Sequence, residues 1–107
     1  MSLESYYQGT NQTEVLRIPR TASVPAAAAV SDATLTYSKR GVVQLSKAFG
    51  LMTVTEDSSY VYVSVDIAPS DNENLVGAYD RKWVATIDGA LDVRSASTVT
   101  ILFSEAT

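Results

Sequence analysis

The chain has 107 residues, 46% hydrophobic and 19% charged, with a formal net charge of −4 and neither cysteine nor histidine. That length supports one domain with one core, and the balance of apolar to charged residues excludes a disordered tail. Eight scattered Lys and Arg give no phosphate-binding surface, and the missing Cys and His remove the thiolate nucleophile and the commonest general base and metal ligand, so no catalytic, cofactor or metal residue is assigned.

Met1–Asn11 reads as an N-terminal arm: polar, without period, and carrying the adjacent pair Tyr6-Tyr7 before Gly9. A tyrosine combines large apolar area with one hydrogen-bonding end, which suits docking on another subunit; the bland alternative is an arm folded back on its own domain or disordered. The terminus carries Glu4 where a secretory signal would be basic and then apolar, so export is not expected. The longest apolar stretch, Pro25–Val30, is too short to span a bilayer, and no membrane partner is expected.

Residues 12–107 read as a single β domain. Gln12–Pro19 is a strand ended by a residue that cannot donate to a central ladder, and Ala22–Val30 is a loop or edge segment despite its alanines. Asp32–Lys39 alternates cleanly, with Ala33, Leu35 and Tyr37 on one face, and Arg40-Gly41 turns the chain into Val42–Phe49. Leu51–Thr55 is a short strand before the turn cluster Glu56–Ser59.

Tyr60–Ala68 carries the strongest pattern. Val61, Val63, Val65 and Ile67 fall on one face and Tyr60, Tyr62, Ser64 and Asp66 on the other. Full burial of four aliphatic side chains is worth about 6–12 kcal/mol before entropy is charged. Pro69–Leu75 predicts a short helical connector, with Ser70 and Glu73 at capping-box spacing. Ala78–Ile87 sets Tyr79, Arg81, Trp83, Ala85 and Ile87 on one parity, and Asp88-Gly89 is a type I′ hairpin signal. Two further strands, Ala90–Arg94 and Thr98–Phe103, are expected, with Ser95–Ser97 interrupting them. Seven to eight short strands with frequent turns predict an antiparallel β-sandwich in preference to a closed barrel.

Chemistry has few footholds. Asp66 and Asp71 read as solvated charges and not as an acid–base pair, and Asp71–Asn74 lacks the spacing and turn glycine of a calcium loop. Trp83 and Tyr79 could form a sugar platform, but their parity places them in the core. Tyr60 and Tyr62 lie opposite the valine face, where they would meet another chain or simply pair across a wet sheet. The candidate interaction residues are therefore Tyr6, Tyr7, Tyr60 and Tyr62, and the expected class is a binding or structural module.

The order of segments carries a resemblance. DATLTYSKRG, then LMTVTEDSSYVYVSVDIAPSDNENLVGAYDRKWVATIDG, then VRSASTVTILF resembles the immunoglobulin-like β-sandwich domain of tailed-bacteriophage virion proteins, in particular the N-terminal domain of baseplate upper proteins. The match rests on Pro69, Ser70, Asp71, Leu75, Gly77 and Tyr79 at a corner and on Asp88-Gly89 at a hairpin, and spans roughly Glu14 to Phe103. Such corners and hairpins recur in unrelated sandwiches. The resemblance implies a non-enzymatic virion protein, made in the host cytoplasm, forming homo-oligomers and docking on other virion proteins, with no cofactor and no nucleic acid. Family members are often the first domain of a longer tail protein, whereas this sequence ends soon after Phe103. Tail or baseplate, head–tail junction and capsid surface therefore all stay open. A carbohydrate-binding module using Tyr60, Tyr62 and Trp83 is the alternative.

Overall fold

A computed structural model describes residues 4–103; Met1–Leu3 of the expected arm and Ser104–Thr107 of the expected domain lie outside them. The strands are β1 (Ser5–Tyr7), β2 (Gln12–Pro19), β3 (Val30–Lys39), β4 (Val42–Ala48), β5 (Thr53–Glu56), β6 (Tyr60–Ile67), β7 (Gly77–Ile87) and β8 (Leu91–Leu102). One helix, α1 (Pro69–Asn72), and two single 3₁₀ turns, Ala27–Ala29 and Phe49–Leu51, connect them. A five-stranded sheet in the order β1-β8-β7-β3-β4 packs on a three-stranded sheet in the order β2-β6-β5. This is the all-β sandwich that the alternation predicts.

The strand order is that of an immunoglobulin-like sandwich. In that lettering β2, β6 and β5 stand at B, E and D, and β3, β4, β7 and β8 at C, C′, F and G. Where β6 hands over to β7, the Tyr79 hydroxyl accepts a hydrogen bond from the Val76 N–H at 3.0 Å, the tyrosine-corner contact of such folds. Gly77 has φ +98°, a conformation a side chain resists, and a Cβ there would lie 3.0 Å from Lys39 Nζ.

Alternation decides what each sheet buries. Val61, Val63, Val65 and Ile67 of β6 and Leu16 and Ile18 of β2 face Leu35 of β3 and Tyr79, Trp83, Ala85 and Ile87 of β7, all buried. The β3–β4 turn places Arg40 and Gly41 at φ 54° and 78°, and Asp88 and Gly89 at the next hairpin have φ 51° and 73°, the left-handed pair of a type I′ turn.

Three expectations are corrected. Ser5–Tyr7 of the arm folds back on its own domain, the alternative to docking, as a strand paired in parallel with Thr100–Leu102 of β8, and Tyr6, buried to 5% exposure, is not a docking residue. Its apolar ring is worth more inside its own core than offered to a partner. Ser95–Ser97 does not interrupt the last strand; these small residues pair with Trp83, Lys82 and Arg81 and leave room for the two large inward side chains. The cap of α1 uses Asp71, whose carboxylate accepts from the Ala68 N–H at 2.8 Å, so Ser70 and Glu73 are not its capping box.

The middle of the core is polar. Ser97, Arg81 and Tyr37 occupy one row across β8, β7 and β3, and Glu14 reaches them from β2 in the opposite sheet. Arg81 Nη1 donates to both Glu14 carboxylate oxygens at 3.0 Å, and its Nε donates to Ser97 Oγ at 3.0 Å. The Tyr37 hydroxyl donates to Glu14, and the Tyr6 hydroxyl donates to Tyr37 at 3.1 Å. Glu14 and Arg81 are 1% and 2% exposed, and among the described residues no buried side-chain nitrogen or oxygen lacks a partner.

Removing one member leaves the other charge buried alone. Glu14→Ala is expected to cost about 3–5 kcal/mol in urea unfolding, and Glu14→Leu combined with Arg81→Met to recover much of it. Burial, and for Tyr37 also its bond to Glu14, pushes the hydroxyls of Tyr6 and Tyr37 above their ordinary 10.0. A raised folded value means that their stabilising contribution is complete below pH 10 and fades as pH rises beyond it. Alkaline absorbance titration should show Tyr6 and Tyr37 ionising only with unfolding, and Tyr37→Phe should remove one such step.

Candidate docking surfaces

The outer face of the three-stranded sheet is built from the residues that alternate with the core. Pro19 pairs with Tyr60, Arg17 with Tyr62, and Thr55 with Tyr62 from the other side. Tyr60 and Tyr62, two residues apart on β6, stand side by side with ring centres 6.1 Å apart and planes tilted by 46°. Both are half-buried by their neighbours.

Two polar groups fix the rings. The Arg17 guanidinium lies over the Tyr60 ring, 4.6 Å from its centre, a cation–π arrangement. The Tyr62 hydroxyl donates to Asp57 Oδ2 at 2.6 Å, while Asp57 Oδ1 accepts from the Ser59 and Tyr60 N–H groups at 2.8 Å each. Asp57 thus ties the β5–β6 turn and the Tyr62 ring together. The Tyr62 bond and the two N–H groups hold the Asp57 carboxyl below its ordinary 3.8, and the same bond raises the Tyr62 hydroxyl. Rings already held in place lose little side-chain entropy when a partner covers them.

A second surface lies at one end of the five-stranded sheet. Tyr7 is 57% exposed and pairs with Leu102, beside the 66% exposed Phe103 and the exposed Val76 that precedes β7. The four candidate tyrosines therefore part company. Tyr60 and Tyr62 form one feature, Tyr7 belongs to another, and Tyr6 is withdrawn into the core. Trp83 and Tyr79 are buried at 3% and 5% exposure, which removes Trp83 from any sugar platform.

Family models, curated proteins and solved structures were all compared with the chain, and none matches.

The carboxylates find structural partners. Lys47 of β4 pairs with Asp71 at 2.7 Å, which lowers the Asp71 carboxyl from its ordinary 3.8, and Asp66 accepts from Thr13 Oγ1 at 3.2 Å. Asn72, inside the stretch weighed as a calcium loop, is fully buried; it accepts from the Gly9 N–H at 2.6 Å and donates to the Thr10 carbonyl at 2.8 Å. It latches the β1–β2 turn to α1. Among the described residues no group of three acidic side chains is placed to hold a metal ion, and no helix is long and apolar enough to cross a membrane.

Arg17 and Asp57 were missed by the sequence reading. Arg17 had a signal, since it shares the outward parity of β2 with Thr13, Val15 and Pro19. Asp57 lay in a turn cluster, and nothing in its spacing points to a ring on the next strand. Because the folded value of Asp57 is lowered, the hold on Tyr62 persists at neutral pH and is lost only as pH falls through that lowered value. The aromatic NMR signals of Tyr62 should shift in an acid titration with a midpoint below 3.8, and Asp57→Ala should abolish that transition.

Proposed function

We propose that this chain is a non-enzymatic structural protein of a tailed-bacteriophage particle, present in several copies and docking on other virion proteins through the Tyr60–Tyr62 face. The observation that carries the reading is the pair of outward tyrosine rings fixed by Arg17 and Asp57 on a regular sheet. Tyrosine and arginine are the residue types that concentrate binding energy at protein interfaces, and rigid presentation raises what each contributes. The resemblance of the Asp32–Gly41 run, the Pro69–Tyr79 corner and the closing strand to phage virion sandwiches supplies the setting, at the tail or baseplate, the head–tail junction or the capsid surface.

Particles lacking the protein, mixed with purified chain and sedimented, should recover it. Tyr62→Ala and Arg17→Ala should each weaken that recovery by about 30-fold or more, the scale of an interface hot spot, while the chain stays folded. A wild-type chain that never sediments with the particle overturns the reading. Binding to a glycan array that is lost in Tyr62→Ala replaces it with the carbohydrate-binding alternative.

A further inference from the structure

A sandwich of two open sheets has edges, and three of the four here carry devices that discourage further pairing. β2 points the charged Glu14 inward and ends in Pro19. β4 is broken by a register shift opposite Tyr37 and Ser38 and carries Lys47. β5 has only four residues. Inward charge, proline, bulges and short length are the usual ways of blunting an edge. β8 has no proline, bulge or inward charge along its outer side, and its two charges there, Asp92 and Arg94, are of opposite sign and pair with each other. β1 covers it only from Thr100 to Leu102, and among the described residues no strand pairs there between Leu91 and Val99.

The backbone tells which groups that stretch offers. The Thr100 N–H donates to the Glu4 carbonyl at 2.9 Å, and the Leu102 carbonyl accepts from the Gln8 N–H at 2.9 Å, so residues of this parity direct their N–H and C=O away from β7. Along the same strand Asp92, Arg94, Ala96 and Thr98 do the same. These four residues are spaced symmetrically about Ser95.

We propose that β8 pairs with β8 of a second copy, antiparallel, across a two-fold axis at Ser95. In that register Asp92 lies opposite Thr98 of the second copy and Arg94 opposite Ala96, so every outward backbone group finds a partner and no like charges stand directly opposed. A hydroxyl meets the carboxylate, and a small residue makes room for the guanidinium. A two-fold axis at Val93 would set Asp92 against Arg94, but it would leave the outward groups of Ala96 and Thr98 open. The contact joins two five-stranded sheets and leaves the Tyr60–Tyr62 face uncovered, since that face belongs to the other sheet. The inference deepens the assembly reading and rests on it only for the presence of several copies.

The chain has no cysteine, which makes a direct test available. Opposed Ser95 residues would form a non-hydrogen-bonded pair with Cα atoms about 4.5 Å apart, within disulfide reach. Under mild oxidation Ser95→Cys should give a dimer on a non-reducing gel at least ten times faster than Ser46→Cys on the β4 edge. Ala96→Pro removes an outward N–H and no bond to β7, so it should weaken self-association by at least about tenfold in analytical ultracentrifugation while the chain stays folded. Tyr62→Ala should leave self-association unchanged, which separates this inference from the docking reading. A wild-type chain that stays monomeric at millimolar concentration, or equal crosslinking at Ser95 and Ser46, overturns the proposal.

Discussion

A guanidinium and a carboxylate deep between two β-sheets set the terms for the rest of this molecule. Arg81 and Glu14 come from opposite layers, so the sheets cannot slide without separating two charges that water no longer reaches. Apolar packing alone tolerates a slip of two residues, because one inward aliphatic serves nearly as well as the next. The ion pair is not tolerant: a slip of two residues on β2 would keep the apolar parity inward but carry Glu14 away from Arg81. Tyr37 and Ser97 complete the arrangement by occupying the same row as Arg81. Through Tyr37 the network extends to Tyr6, which makes the first strand part of the core and not an appendage.

The outward features follow from that fixed register. Once Glu14, Leu16 and Ile18 face inward, Arg17 must face outward, and β6 places Tyr62 directly beside it. The two faces of one strand pair thus divide the work. One side holds the layers together; the other presents aromatic rings held by a turn carboxylate and a stacked arginine. Because the buried network does not touch Tyr60 or Tyr62, changes on the presenting face leave the inner one intact.

Much of the architecture was legible in the sequence because alternation is a strong signal where one face is dry. Val61 to Ile67 could only be a strand, and the turn residues at Arg40-Gly41 and Asp88-Gly89 sit where their positive φ values are needed. Burial of Trp83 and Tyr79 followed from parity. Two of the misreadings share a cause, which is partnership across long sequence distance; the third, the cap of α1, is local and turned on which of two neighbouring residues, Ser70 or Asp71, closes it. Tyr6 lies 31 residues from Tyr37, and nothing local in a polar arm announces that bond. Small residues at Ser95–Ser97 looked like a break because what they accommodate, Trp83 and Arg81, lies on another strand. Glu14 on the apolar parity of β2 and Arg81 on that of β7 were a matched pair of opposite sign, and together they could have revealed the buried bridge before any coordinates.

The parallel pairing of β1 with β8 also bears on how the chain reaches this state. Ser5 rests against Thr100, so β1 docks on a strand that is made after β2 to β7. Until β8 has been made, Tyr6 has no groove to enter and the hydroxyl of Tyr37 waits for its donor. Contacts so distant in sequence close slowly. The nascent molecule therefore passes through a stage in which β2 to β7 are present while β1 still has nowhere to settle.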